Sequence, residues 1–332
     1  MTARDCYDSA TYAPCARRPR CRDAPDVNSP ETAAHEAAVA EETLVVPARD
    51  GYPLGATLFR VAQPRAVGDV AVFNAGGGLA FERYRHFLRF VAGEGVPVLA
   101  YDYRGVGRSR VGTLRGFEAG LDDWAELDHA AAIDFLGSRF PGARRASISH
   151  SIGCLVACTA PNAASLDQMV YIGPHTGYWR DYRMPWRVPM AITWHVLMPL
   201  IARVVGYFPG RALRLGDDFP LRFALQWAGR RRSEFDVDEP RDGTRARERL
   251  LLDCARALDV PALAISMFDD AFVSESAVRR FLFAIPEAPV VRAEIEADAT
   301  GGEAVGHFGF FSRRRASLWP IVTRFLQTHP VP

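Results

Sequence analysis

Ala146-Ser147-Ile148-Ser149-His150-Ser151-Ile152-Gly153 is the stretch on which the reading of this chain turns. A short β-type run meets a turn of small and polar residues, and a helix starts at Ile152. A serine at such a bend needs small neighbours, so that the chain can turn sharply and the hydroxyl can stand clear; the usual form is G-x-S-x-G. Gly153 fills the second glycine position. Ser149 stands at the first, a departure small enough for the turn to survive. The helix points its N-terminus at Ser151, where the N–H of Ile152 can donate to a developing oxyanion. A degenerate S-x-S-x-G is a weak signal by itself, because a plain strand-to-helix turn with a surface serine reads the same way.

Two further segments supply what a serine nucleophile needs. In Val305-Gly306-His307-Phe308-Gly309-Phe310-Phe311 a histidine sits between glycines just after the last expected strand. Such a loop can hold an imidazole over a hydroxyl, and a base titrating near neutrality is what serine activation requires. His150, beside the serine, belongs to the elbow; His175 is the best alternative base. In Ile265-Ser266-Met267-Phe268-Asp269-Asp270 a strand ends in two aspartates. A carboxylate there can fix the tautomer of His307 and stabilise its imidazolium. Asp270 leads and Asp269 is the runner-up. The order Ser151, Asp270, His307 is one of the known chain orders of such triads.

Phe73-Asn74-Ala75-Gly76-Gly77-Gly78 follows another strand. Its backbone can offer the second oxyanion donor, from Gly76 or Ala75. No G-x-G-x-x-G spacing follows, which argues against a dinucleotide loop.

Around these segments short apolar runs alternate with helical ones. Leu44-Val45-Val46 and Leu58-Phe59-Arg60-Val61 flank Asp50-Gly51 as a β-hairpin. Strands are expected at 70–73, 96–101, 146–150, 169–173, 260–266 and 291–295. Helices are expected at 81–93, 121–140, from 152 to 159, through Phe283 and through Leu326. The alternation implies a mostly parallel sheet with helices on both faces, that is, an α/β fold. It breaks from about Thr176 to Leu258, an aromatic and arginine-rich stretch without a clear strand. The expected organisation is a disordered tail over 1–40, a core over 41–175 and 259–332, and a helical cap over 176–258, inserted above the strand ends where such sheets place their sites. Within the cap, Tyr178 and Trp179 are the candidate lining of a pocket for an apolar acyl or alcohol group. Arg230-Arg231-Arg232 and Arg313-Arg314-Arg315 read as solvated faces.

Composition narrows the class of function. The chain has 332 residues, 48% hydrophobic and 24% charged, with a formal net charge of +1. It contains no lysine, so all 40 basic residues are arginine. That balance gives no reason to expect nucleic acid as a partner. None of the six cysteines forms a C-x-x-C pair or a zinc spacing, so no metal is expected and a reducing cytoplasm is the expected compartment. The longest apolar run, Met190 to Gly206, is interrupted by His195, Pro199 and Arg203, so no membrane span is expected.

With these residues in hand, the chain resembles the α/β-hydrolase superfamily from roughly Glu42 to the C-terminus. Tyr101-Asp102-Tyr103-Arg104-Gly105-Val106-Gly107-Arg108-Ser109 matches its D-x-R-G-x-G-x-S loop, a structural turn. Asp122-Asp123-Trp124, Gly177-Tyr178-Trp179 and the 306–311 segment are similar to bacterial predicted serine hydrolases of the serine-aminopeptidase-like branch. The resemblance implies Ser151 as nucleophile, Asp270 as acid, His307 as base and no cofactor. Asn74-Ala75 stands where many members have His-Gly. The function expected is hydrolysis of a carboxylic ester, less readily an amide or thioester, on a small-molecule substrate. An acyltransferase using the same residues and a non-catalytic binding protein are the rivals, since a fold does not decide function.

Overall fold

The computed structural model describes residues 39–62, 68–229 and 243–328. The segment expected as a tail and the 230–232 arginine run therefore lie outside the described residues, except that Val39 and Ala40 already belong to a strand.

β1 (Val39–Pro47) and β2 (Pro53–Val61) pair antiparallel around Asp50-Gly51, with Gly51 at φ +84° making the turn. Strands and helices then alternate: β3 (Asp69–Asn74), α1 (Arg85–Gly93), β4 (Val98–Tyr101), α2 (residues 121–139), β5 (Arg144–His150), α3 (Ile152–Thr159) and β6 (Gln168–Ile172). After an excursion come α6 (Gly243–Arg256), β9 (Ala262–Met267), α7 (Glu275–Leu282), β10 (Val290–Ile295) and α8 (Pro320–Thr328). The sheet has the order β1-β2-β4-β3-β5-β6-β9-β10, parallel from β4 to β10.

Period-two alternation sends neighbouring residues of a strand to opposite faces. In β3, Val70 and Val72 enter one core with α2, α3 and α6, while Ala71 and Phe73 enter the other with α1 and α8. Both faces are covered, which is why the central strands read as continuous apolar runs.

The excursion between β6 and α6 carries α4 (Arg187–Val205), a two-residue ladder of β7 (Tyr207–Phe208) with β8 (Phe219–Pro220), and α5 (Leu221–Gly229). The ladder is a small departure from an all-helical cap. A larger one is α6. Expected as cap, it packs against α2 and α3 with Leu251 and Ala255 buried in the core, and is the crossover helix between β6 and β9.

α4 also departs from expectation. His195, Pro199 and Arg203 do not interrupt it; the helix runs 19 residues, with a π-helical stretch at Thr193–Leu197, and ends at Gly206 in the left-handed conformation. By length and composition it could cross a membrane. Val188, Ile192, Val196, Leu200 and Val204, four apart, are exposed along its outer side. Its Trp194 and Met198 border the cavity described next.

Candidate active site

Ser151 sits at the bend from β5 into α3 at φ 57°, ψ −127°. A non-glycine residue held there costs on the order of 1–3 kcal/mol and persists only where its surroundings impose it. They do so here: Ser151 N–H donates to the Ile172 carbonyl (2.9 Å) and Cys154 N–H to the Ser151 carbonyl (3.0 Å). Gly153 must be glycine, since a Cβ there would lie 2.5 Å from the Ala75 oxygen and 2.9 Å from the Asn74 oxygen. Ser149 is tolerated because its hydroxyl has partners, Ser147 Oγ at 3.0 Å and the Asn74 side-chain amide at 3.3 Å.

His307 lies on the single turn Gly306–Gly309. Its Nε2 is 2.8 Å from Ser151 Oγ and its Nδ1 is 2.7 Å from Asp270 Oδ2. Asp270 is buried, and its other oxygen accepts the N–H groups of Phe272 (2.7 Å) and Val273 (3.0 Å). Burial alone would raise this carboxyl, but His307 and the two amides outweigh it and hold it below the ordinary 3.8. Asp270, not Asp269, meets His307. Asp269 instead accepts the N–H groups of Val305 (2.8 Å) and Gly306 (2.9 Å), clamping the loop that carries the histidine.

Because Asp270 is acceptor-only, His307 Nδ1 carries the proton and Nε2 accepts from the Ser151 hydroxyl. Proton transfer from Ser151 to His307 would then leave an imidazolium paired with a buried carboxylate.

The other two nearby histidines are equally constrained. His150 receives the Tyr84 hydroxyl at Nδ1 (2.9 Å) and donates from Nε2 to the His307 carbonyl (3.0 Å). Burial, aided by His307, holds His150 well below its usual range, so it stays neutral and acts as a strut. His175, the alternative base, is buried and also reaches the serine, with Nε2 3.0 Å from Ser151 Oγ.

The three backbone donors expected around the serine differ in setting. Ile152 is the first residue of α3, so no helical carbonyl four residues back receives its N–H. Gly76 borders the cavity, but its N–H donates to Tyr84 Oη at 3.1 Å. Ala75 is buried, with its carbonyl toward Gly153.

A cavity of about 500 Å³ opens at Ser151 and His307. Trp194, Met198, Phe219, Phe223, Trp227 and Phe272 are among the residues that line it, and Arg83 and Arg214 also border it. Tyr178 and Trp179, expected in the lining, are not part of it. The Arg280 guanidinium lies 4.4 Å over the Tyr178 ring and the Arg180 guanidinium 5.3 Å over Trp179, so each half-buried ring faces an arginine. Phe223 and Trp227, four apart on α5, carry the spacing of a shared helix face and were legible in principle. Phe272, whose ring stacks on His307 at 4.7 Å, sits two residues beyond Asp270. Tyr84 has no local sequence signature.

The D-x-R-G loop acts as a brace. Asp102 accepts the N–H groups of Phe81 and Arg108, and Arg104 pairs with buried Asp128 and with Asp50. Asp122 and Asp123 bind Arg222 of α5 and Arg247 of α6, tying the cavity wall to α2. Among the described residues no group of three or more His, Cys, Asp or Glu side chains could hold a metal ion, and no disulfide joins Cys154, Cys158 and Cys254.

Residues 65–214 match the family described as "Serine aminopeptidase, S33". That span contains Ser151 and His175 but neither Asp270 nor His307. No curated protein matches the chain in sequence. Among solved structures, an esterase of Pyrococcus furiosus is similar at 16% identity over 89% of this chain and 92% of its own, with a TM-score of 0.57. An esterase of Pyrobaculum calidifontis is similar at 17% identity over 87% and 85%, with a TM-score of 0.53. The esterase domain of a Rhodothermus marinus protein is similar at 14% identity over 86% and 97%, with a TM-score of 0.52. At such identities the likeness is one of fold, and the fold is that of the α/β hydrolases.

Proposed function

We propose that this chain, a serine hydrolase of the α/β-hydrolase fold, cleaves carboxylic esters with an apolar acyl or alcohol group through an acyl-enzyme on Ser151. The observation that supports this most directly is the unbroken line from Ser151 Oγ to His307 Nε2 (2.8 Å) and from His307 Nδ1 to Asp270 Oδ2 (2.7 Å), opening on an apolar cavity.

The Oγ lone pair attacks the ester carbonyl while its proton passes to His307 Nε2, and the carbonyl π pair moves onto the oxygen. Ile152 N–H donates to that oxyanion. Gly76 N–H is the second donor, turning from Tyr84 Oη; Ala75, tucked against Gly153, is the weaker candidate. Collapse expels the alcohol, which takes the proton from His307. Water then attacks the acyl-enzyme, gives its proton to His307, and the C–Oγ pair returns to the serine, which recovers that proton. Every step is proton transfer or acyl transfer, so no metal or organic cofactor is called for. Ester hydrolysis is preferred to amide hydrolysis, because an alkoxide leaves the tetrahedral species more readily than the anion of an amine, which must be protonated first.

The test is turnover of p-nitrophenyl esters by the wild type and by Ser151→Ala. The proposal expects a fall in kcat of about 10³-fold or more in the variant. Equal turnover by the two proteins would contradict it.

A further inference from the structure

Ser151 Oγ has a second imidazole partner, and the proton positions around it follow from the neighbours. Gly177 N–H donates to His175 Nδ1 at 3.1 Å, so that nitrogen is unprotonated and the ring proton is on Nε2. His175 Nε2 lies 3.0 Å from Ser151 Oγ, and His307 Nε2 lies 2.8 Å from the same oxygen. The serine therefore donates to His307 and accepts from His175. The ring of His175 is buried, edge-on to Trp227 of the cavity wall (5.8 Å between centroids), which leaves it little freedom to turn.

We propose that His175 is a further catalytic residue: a fixed N–H donor to Ser151 Oγ rather than a second base. The inference rests on the function proposed above. With an acceptor position of Oγ taken by His175, the hydroxyl proton is aimed at His307. The larger effect falls on deacylation. As water attacks the acyl-enzyme and the tetrahedral species collapses, the C–Oγ bond breaks and its electron pair moves onto Oγ before the proton arrives from His307. An N–H already directed at that oxygen is stronger against the developing negative charge than against the neutral ester oxygen, and so favours the transition state over the acyl-enzyme. His175 neither gains nor loses a proton in the cycle. A base would need an unprotonated Nε2, which the Gly177 amide opposes by occupying Nδ1.

The test has two arms. In burst kinetics with p-nitrophenyl acetate, His175→Phe keeps a flat ring but no donor, and His175→Gln restores an N–H near the Nε2 position. Loss of one hydrogen bond to developing charge predicts a fall in the deacylation rate of about 10- to 100-fold in His175→Phe, with kcat/KM, which reports acylation, within about threefold, and recovery of most of the loss in His175→Gln. A folded His175→Phe deacylating at the wild-type rate would overturn the inference. The second arm needs no turnover and reads the wild-type ring: ¹⁵N–¹H correlation of the wild-type imidazoles, with the His175 signals identified by their loss in His175→Gln. A neutral ring protonated at Nε2 is expected; protonation at Nδ1, or at both nitrogens, would overturn it. If Ser151 is not the nucleophile, Ser151→Ala keeps the turnover and burst of the wild type, and the proposed function fails whatever the spectrum shows.

Discussion

Asn74 and Ser149, two of the residues at which this chain departs from the motifs it resembles, are hydrogen-bonded to each other, Nδ2 to Oγ at 3.3 Å. Asn74 is buried; its amide also donates to Ser147 Oγ (3.1 Å), and its carbonyl oxygen accepts the Tyr101 hydroxyl (2.7 Å) and the Tyr103 hydroxyl (3.3 Å). A polar residue at the end of β3 thus meets a polar residue at the elbow, and each supplies the partner the other needs in a dry interior.

This pairing predicts unequal costs. Asn74→Ala leaves buried hydroxyls without partners and is expected to destabilise the protein by about 2–3 kcal/mol. Ser149→Gly is expected to cost about 1 kcal/mol. Denaturant unfolding of the single and double variants should give a coupling of roughly 0.5–1.5 kcal/mol. Strict additivity would show that the two departures are unrelated.

The two aspartates at the end of β9 are assigned different work, and substitution separates them. Asp270→Asn removes the carboxylate that holds the tautomer of His307 and is expected to lower kcat by about 10⁴-fold, the loss seen when a triad carboxylate is neutralised. Asp269→Asn weakens a clamp on backbone amides and is expected to cost about tenfold. The comparison is made on kcat for one activated ester, and a greater loss in Asp269→Asn would reverse the assignment.

Asp270 also sets an acid limit on stability. Its carboxyl is held below the ordinary 3.8, so it binds fewer protons folded than unfolded near that pH. Its contribution is present above the ordinary value and is lost as pH falls through the lower, folded one. The gap in Tm between wild type and Asp270→Asn is therefore expected to be steady down to about pH 4 and to shrink below it. A gap that widens on acidification would contradict the sign of the shift.

Substrate choice falls to the cavity wall. Each acyl methylene buried there gains about 0.8 kcal/mol, so kcat/KM is expected to rise about fourfold per carbon along a p-nitrophenyl ester series until the space is filled. Trp194→Ala enlarges the wall and should move the maximum to longer chains, while Tyr178→Ala, away from the cavity, should leave it in place. A flat profile, or a shift produced by Tyr178→Ala, would mean that the acyl group lies elsewhere.

Much of this was readable along the chain because the information is local. The Asp50-Gly51 turn, the apolar runs of β3, β5, β6 and β9, and the elbow at Ser151 are each specified by a few adjacent residues. The loops bearing Asp270 and His307 were likewise recognisable by what surrounds them. What escaped depends on packing between distant segments. Tyr178 and Trp179 looked like pocket lining because they are aromatic, yet arginines cover their rings. The helical stretch at 243–256 read as cap until its contacts with α2 and α3 placed it beside the sheet. The polar interruptions of α4 did not stop a 19-residue helix, because Pro199 falls at a helix position where the π-helical stretch has just ended. Choosing between Asp269 and Asp270, or between His307 and His175 as base, needs the direction of individual hydrogen bonds, which no spacing encodes.

The central claim is that Ser151 is the nucleophile, and covalent labelling tests it without assuming a substrate. A fluorophosphonate probe followed by peptide mapping is expected to modify Ser151 alone, not the neighbouring Ser149, with no labelling of Ser151→Ala and slow labelling of His307→Ala. Undiminished labelling of Ser151→Ala, or a modified peptide that does not contain Ser151, would contradict it.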